Sequence, residues 1–310
     1  MKQRVLQYGR LMPSLEKQLA EAFDVHRFVD EADPKAFLAQ RGGEFTGLAT
    51  QGFADAALIA ALPKLKVISS FGVGVDKIDL KAAAERGIPV GNTPDVLNDC
   101  VADLAIGLMI DVARGIGASE RYLRSGSWPK GAYPLQRRMS GKKLGILGLG
   151  RIGHAIAKRA LAFDMDIRYH NRRPVVDTSI AHEPSLVELA RWCDFLVVIV
   201  PGGASTKHLV NETVLNALGP EGFLINVARG SVVDETALVR ALKDKRLGGA
   251  GLDVFEHEPQ VPADLMELDN AVLVPHIGSA TIETRAAMAQ RVFDNLVAFF
   301  NNGKLISQAS

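Results

Sequence analysis

Three residue types needed for carbonyl reduction end successive segments in the last third of the chain. Ala228-Arg229-Gly230 follows the apolar run Phe223–Asn226. Phe255-Glu256-His257-Glu258-Pro259 follows Ala250–Val254, and Pro275-His276-Ile277-Gly278 follows Ala271–Val274. Adding a hydride to a ketone leaves an alkoxide, so a positioned acid must supply a proton, and histidine does this near neutral pH. A carboxylate beside His276 would hold its imidazole in the donating tautomer. Glu256 and Glu258 both qualify, and spacing does not choose between them. Arg229 would bind a carboxylate next to the ketone with two parallel hydrogen bonds.

The hydride source is suggested upstream. The apolar run Leu144–Leu147 leads into Gly148-Leu149-Gly150-Arg151-Ile152-Gly153, and a helical pattern opens behind it. Strand, glycine turn and helix in that order form a dinucleotide fingerprint. Gly148 permits the tight turn, Gly150 lets backbone approach a pyrophosphate, and Gly153 lets the helix pack close to the strand. About 20 residues on, a site for NAD would carry Asp or Glu for the ribose 2′-hydroxyl. Here the chain reads Asn171-Arg172-Arg173, and guanidinium groups suit a 2′-phosphate. NADPH is therefore predicted over NADH.

The elements that must position these groups alternate strand and helix twice. Residues 1–97 contain one such series and residues 143–280 a second. This predicts an α/β protein with two doubly wound parallel sheets. Strand patterns include Val25–Val29, and residues 98–125 read as one long helix, apolar over much of its circumference. Thr281 begins a last helix running to about Phe300, and Trp128–Leu135 reads as a loop.

Composition narrows the class. At 310 residues two domains are expected, and 36 Lys plus Arg against 35 Asp plus Glu gives no bulk attraction to nucleic acid or anionic membrane. No apolar run reaches membrane-spanning length and no signal-peptide core follows Met1, so a cytoplasmic location is expected. Cys100 and Cys193 read as reduced core thiols. His26, His154, His170, His182, His208 and His257 form no metal-ligand spacing and are assigned to surface or packing roles.

These motifs, with Phe71-Gly72-Val73-Gly74-Val75-Asp76, Asn92-Thr93-Pro94-Asp95-Val96, Ile225-Asn226-Val227-Ala228-Arg229-Gly230 and Gly251-Leu252-Asp253-Val254-Phe255, resemble the D-2-hydroxyacid dehydrogenase family. The likeness runs from about Ser69 to Phe300 and is strongest to its glyoxylate/hydroxypyruvate reductase branch, including plant hydroxyphenylpyruvate reductases. The resemblance implies a flavodoxin-like substrate domain of residues 1–97 plus 284–310 and a Rossmann NADP-binding domain of 98–283. It implies His276 as proton donor, Glu258 rather than Glu256 as its partner, and Arg229 on the substrate carboxylate, helped by backbone at Val73 and Gly74. Arg151 and Ile152 would lie along the pyrophosphate. Val200, Pro201, Thr206, Val227, Ala228, Asp253, His276 and Gly278 would contact the cofactor elsewhere, mostly beside the nicotinamide. The turn Pro201–Thr206 departs from the Leu-Thr-Pro pattern common in relatives. The resemblance also implies a homodimer acting on a small 2-oxo acid, and the charge balance leads us to expect no nucleic-acid or membrane partner. The alternative reading is a nucleotide-sensing protein or corepressor on the same fold.

Overall fold

A computed structural model describes residues 2–309. Contacts divide the chain into two compact units, one running to Leu97 and resuming at Thr281, the other Asn98–Ala280.

In the first unit, β1 (Arg4–Tyr8), β2 (Asp24–Arg27), β3 (Gly47–Thr50), β4 (Val67–Ser70) and β5 (Val90–Gly91) form a parallel sheet in the order β2-β1-β3-β4-β5. This is the flavodoxin-like order, whose direction reverses between β1 and β3. β3 and β4 are buried along their whole length, as expected for parallel strands covered on both faces. Helices start where an aspartate accepts a backbone N–H, as Asp55 does from Leu58 and Asp79 from Ala82. The last helix, Ile282–Asn302, is capped by Thr281 and stopped by Gly303 at φ +77°. It is tied to the sheet by Ser69 Oγ donating to Val292 O, and by Asn295 Nδ2 donating to Asn92 O.

In the second unit, β6 (Lys143–Leu147), β7 (Asp166–His170), β8 (Ala181–His182), β9 (Phe195–Val198), β10 (Phe223–Asn226), β11 (Gly249–Leu252) and β12 (Ala271–Leu273) are all parallel, in the order β8-β7-β6-β9-β10-β11-β12. The first six strands in sequence follow the Rossmann arrangement, which reverses between β6 and β9. Strand glycines let helices come close. A Cβ at Gly249 would stand 2.8 Å from Val112 Cγ2, and one at Gly251 would stand 3.0 Å from Leu108 Cβ, both on the helix Asn98–Arg114.

Two expectations are corrected. Residues 98–125 are two helices, Asn98–Arg114 and Ile116–Arg124, because Gly115 adopts the left-handed conformation at φ +60°. A side chain there would also meet the Tyr133 hydroxyl at 2.6 Å. The strand expected at Val25–Val29 ends at Arg27, and Phe28–Asp30 turns so that Phe28 stacks on Tyr8 at 5.1 Å. No helix among the described residues is long and apolar enough to cross a membrane.

Candidate active site

The three glycines after β6 answer three different steric demands. Gly148 has φ +109°, and a Cβ there would meet Ile199 O at 2.6 Å and Val200 Cγ1 at 2.9 Å. A Cβ on Gly153 would lie 2.3 Å from Gly148 O. Gly150 is the opposite case, since nothing lies within 4 Å of its Cβ position. It caps the helix Arg151–Ala160, whose first residues are Arg151 and Ile152. The turn is therefore packed tightly on its strand side and open where a pyrophosphate would approach, at a helix N-terminus. These residues fit a dinucleotide.

The loop after β7 is tied to that turn. Asn171 Oδ1 accepts from Leu149 N at 2.8 Å. His182 Nε2 hydrogen-bonds Asn171 O at 3.0 Å, and Tyr169 Oη accepts from Val175 N at 2.8 Å. His170 stacks on His182 and bonds Glu183 O through Nδ1. Between these ties, Arg172 and Arg173 are exposed. Among the described residues neither guanidinium has a hydrogen-bond or ion-pair partner. The roles of Tyr169 and His182 were not read from the sequence. Both lie on strands beside the loop rather than in it, so only the sheet order reveals them.

Arg229, Glu258 and His276 come together in the same unit. His276 Nδ1 and Glu258 Oε2 are 2.7 Å apart, and Glu258 Oε1 accepts from Phe255 N at 3.1 Å. Burial pushes the Glu258 carboxyl up, but the hydrogen bonds from His276 and Phe255, with the charges of His276 and Arg229, outweigh it and hold it below its ordinary value. Glu256, the other candidate, is engaged elsewhere, accepting from His208 Nε2 at 3.0 Å. The Arg229 backbone is fixed by Asn226, whose side chain donates to Arg229 O and accepts from Ala228 N. Gly230 brings this loop onto the next, since a Cβ there would overlap Phe255 backbone at 1.9 Å.

His276 occupies the left-handed region at φ +52°, unusual for a residue with a side chain. Asp253 holds that turn. Its buried carboxylate accepts from Ile277 N at 2.6 Å and Gly278 N at 2.9 Å. Burial raises the Asp253 carboxyl above its ordinary value, and the two N–H groups pull against that rise. Gly278 is required by the same contact, a Cβ there meeting Asp253 Oδ2 at 2.8 Å.

The remaining cofactor candidates divide by environment. Val227 and Ala228 are buried, Val200 is half-buried against Gly148, and Pro201 is exposed. Thr206 Oγ1 bonds within its own turn, to Pro201 O at 2.7 Å. In the first unit, Val73 and Gly74 lie in a turn stapled by the end of β5. Asn92 Nδ2 donates to Val73 O at 3.0 Å, and Thr93 accepts from Gly72 N through Oγ1 while its own N donates to Gly72 O. Cys193 is buried, its thiol pushed up to about 12 by burial. Among the described residues no group of three or more His, Cys, Asp or Glu side chains could hold a metal ion.

Known proteins place this geometry in a family. The family described as D-isomer specific 2-hydroxyacid dehydrogenase, NAD binding domain, matches residues 106–278. The hydroxyphenylpyruvate reductase of Plectranthus scutellarioides is 48% identical over 295 residues, 94% of each chain. The 2-ketogluconate reductase of Gluconobacter oxydans is 42% identical over 303 residues, 98% of this chain and 97% of that one. Among solved structures, the NADPH-dependent glyoxylate/hydroxypyruvate reductase of Sinorhizobium meliloti in complex with NADP and malonate superposes with a TM-score of 0.95 at 45% identity. That match covers 100% of this chain and 97% of the other. The chain belongs to the D-isomer specific 2-hydroxyacid dehydrogenase family.

Proposed function

We propose that this chain reduces a small 2-oxo acid (glyoxylate, hydroxypyruvate or a bulkier aryl-pyruvate) to the D-2-hydroxy acid with NADPH. The observation that carries this reading is the 2.7 Å contact between His276 Nδ1 and Glu258 Oε2. It commits one ring nitrogen to the carboxylate and leaves Nε2 to donate a proton. His276 then protonates the ketone oxygen as it becomes an alkoxide, and Glu258 stabilises the charged imidazolium beforehand. Arg229 binds the substrate carboxylate through paired N–H groups, with backbone N–H at Val73 and Gly74 assisting. The nicotinamide, when bound, supplies the hydride.

In this reading the Asn98–Ala280 unit binds the cofactor and the other unit binds the substrate side chain. Gly148, Gly150, Arg151, Ile152 and Gly153 hold the pyrophosphate, and Asn171, Arg172 and Arg173 take the 2′-phosphate. Val200, Pro201, Thr206, Val227, Ala228, Asp253, His276 and Gly278 border the remainder. The two exposed arginines support NADPH over NADH, as does the likeness to the NADPH-dependent Sinorhizobium enzyme. We further propose a homodimer. Ile116, Leu123, Trp128 and Leu135 expose 52, 54, 65 and 100% of their surface along one helix and the loop after it, an apolar stretch suited to a second copy. Sedimentation velocity giving a monomer at micromolar concentration would overturn that part.

The test is loss of NADPH or NADH absorbance with glyoxylate, hydroxypyruvate and phenylpyruvate. Rapid loss with NADPH and little with NADH is expected. NADPH binding without turnover of any of the three would sink the reductase reading.

A further inference from the structure

The first unit contains a cavity of about 180 Å³ lined by Arg10, Leu11, Met12, Gln51, Phe71 and Arg285. Its position follows from the sheet. Tyr8 of β1 pairs with Thr50 of β3, and Thr50 pairs with Ser70 of β4. Arg10, Gln51 and Phe71 therefore leave three adjacent strands at their carboxyl ends. The sheet reverses direction between β1 and β3, the place where such folds receive ligands. The loop after β1 lies against Gln51, since a Cβ on Gly9 would be 3.8 Å from Gln51 Cβ. Arg285, in the first turn of the last helix, lines the cavity with its guanidinium 5.5 Å from the centroid of the Phe71 ring.

The chemistry of the lining is one-sided. It presents two guanidinium groups, one amide, an aromatic face and two apolar side chains, and no carboxylate. Glu16, in the helix after this loop, accepts from Gln7 Nε2 at 2.7 Å and from Leu11 N at 3.3 Å. Guanidinium forks match carboxylate oxygens, and an aromatic wall suits the methylenes leading to them. The volume equals roughly six waters at ~30 Å³ each, enough for a few carbons ending in a carboxylate.

We infer that this cavity is the side-chain subsite of the enzyme and that it selects 2-oxo acids bearing a second, distal carboxylate. The inference rests on the proposed reductase function, because Phe71 stands two residues before Val73, whose backbone is assigned there to the substrate. Arg10 and Arg285 bind the distal group.

The experiment measures kcat/KM with NADPH on the full chain for three acids. 2-Oxoglutarate carries the distal carboxylate, 2-oxopentanoate has the same chain length without it, and glyoxylate has no side chain. The wild type should favour 2-oxoglutarate over 2-oxopentanoate by about tenfold or more, since a site built for a charged group rejects the analogue lacking it. Arg10→Ala and Arg285→Ala should each reduce that ratio by about tenfold, and Arg285→Lys should recover part of it. Arg10 is exposed, so its variant keeps the test valid if Arg285→Ala fails to fold. Glyoxylate turnover with no preference for 2-oxoglutarate, or a preference unchanged in both alanine variants, overturns the subsite alone. No turnover of any acid overturns the reductase reading and the subsite with it.

Discussion

Two turns in the Asn98–Ala280 unit reach unusual backbone shapes by opposite means. The turn after β6 does it by omitting side chains. Gly148 and Gly153 pack so closely that a single carbon would strike a backbone oxygen at 2.6 and 2.3 Å. The turn after β12 keeps a side chain, His276, at φ +52° and holds it with a buried carboxylate from the end of β11. The first presents backbone to a ligand and gains from having no side chains. The second must present an imidazole, so it cannot use glycine at that position and needs an external brace. A βα turn that binds and one that supplies a reacting group therefore call for different residues.

The comparison is broken most severely at the brace. Asp253→Ala leaves the N–H groups of Ile277 and Gly278 without their acceptor. The buried Gly278 N–H, left unsatisfied, costs about 1–3 kcal/mol, and His276 loses its fixed position. A fall in kcat of more than about tenfold is expected, alongside a lower unfolding midpoint. Normal kcat in a folded Asp253→Ala protein would show that the brace does not position the histidine. Gly153→Ala attacks the other turn. Overpacking against Gly148 O should cost about 1–3 kcal/mol and raise the Kd for NADPH. Isothermal titration and thermal melts would check both effects. Here kcat at saturating cofactor should suffer less than Kd, the reverse of Asp253→Ala.

The same contrast explains what the sequence discloses. The glycine turn is legible because its three demands fall within six consecutive residues, between an apolar strand and a helical pattern. The α/β alternation is legible for a related reason, each element being a local pattern. Strand order is not, because parallel pairing joins distant segments. That is why β6 lying between β7 and β9, and β1 between β2 and β3, emerge only in three dimensions. The brace is invisible in the same way, since Asp253 reads as part of the run Ala250–Val254 and resemblance assigns it only to the cofactor. Spacing could not separate Glu256 from Glu258. Resemblance favoured Glu258, and in the fold Glu258 meets His276 while Glu256 meets His208. Gly115, by contrast, stood in plain sight within residues 98–125. The apolar periodicity on both sides concealed the break, because left-handed φ at one glycine interrupts a helix without disturbing the pattern that flanks it.

A gentler intervention sharpens the ligand side. Arg172→Ala and Arg173→Ala touch no hydrogen bond among the described residues, so fold stability should not change. Each should raise KM for NADPH, the pair by about tenfold or more, while KM for NADH stays nearly constant. Equal losses with both cofactors would remove the 2′-phosphate role. His182→Phe keeps the stacked ring and deletes the bond to Asn171 O. A rise of a few-fold in KM for NADPH alone is expected, smaller than for either arginine.

The smallest expected effect concerns the pair that the second turn exists to present. Glu258 is held below its ordinary carboxylate value of 4.5, so its folded form binds its proton less readily than the unfolded chain does. Such a group adds stability above the unfolded value and loses it as pH falls through the folded value. Comparing wild type with Glu258→Gln by thermal melts should therefore show a gap at pH 6 that shrinks progressively below about pH 4.5. The gap should be modest, about 0–1 kcal/mol, because the His276 and Glu258 side chains keep 47 and 30% of their surface exposed. The total acid stability of the protein is a poor guide, since burial raises the carboxyls of Glu235 and Asp253 and gives those groups the opposite slope. Only the difference between the two proteins isolates Glu258. A gap that widened on acidification would mean that Glu258 is destabilised rather than favoured as a carboxylate, and would remove the physical basis for pairing it with a protonated His276.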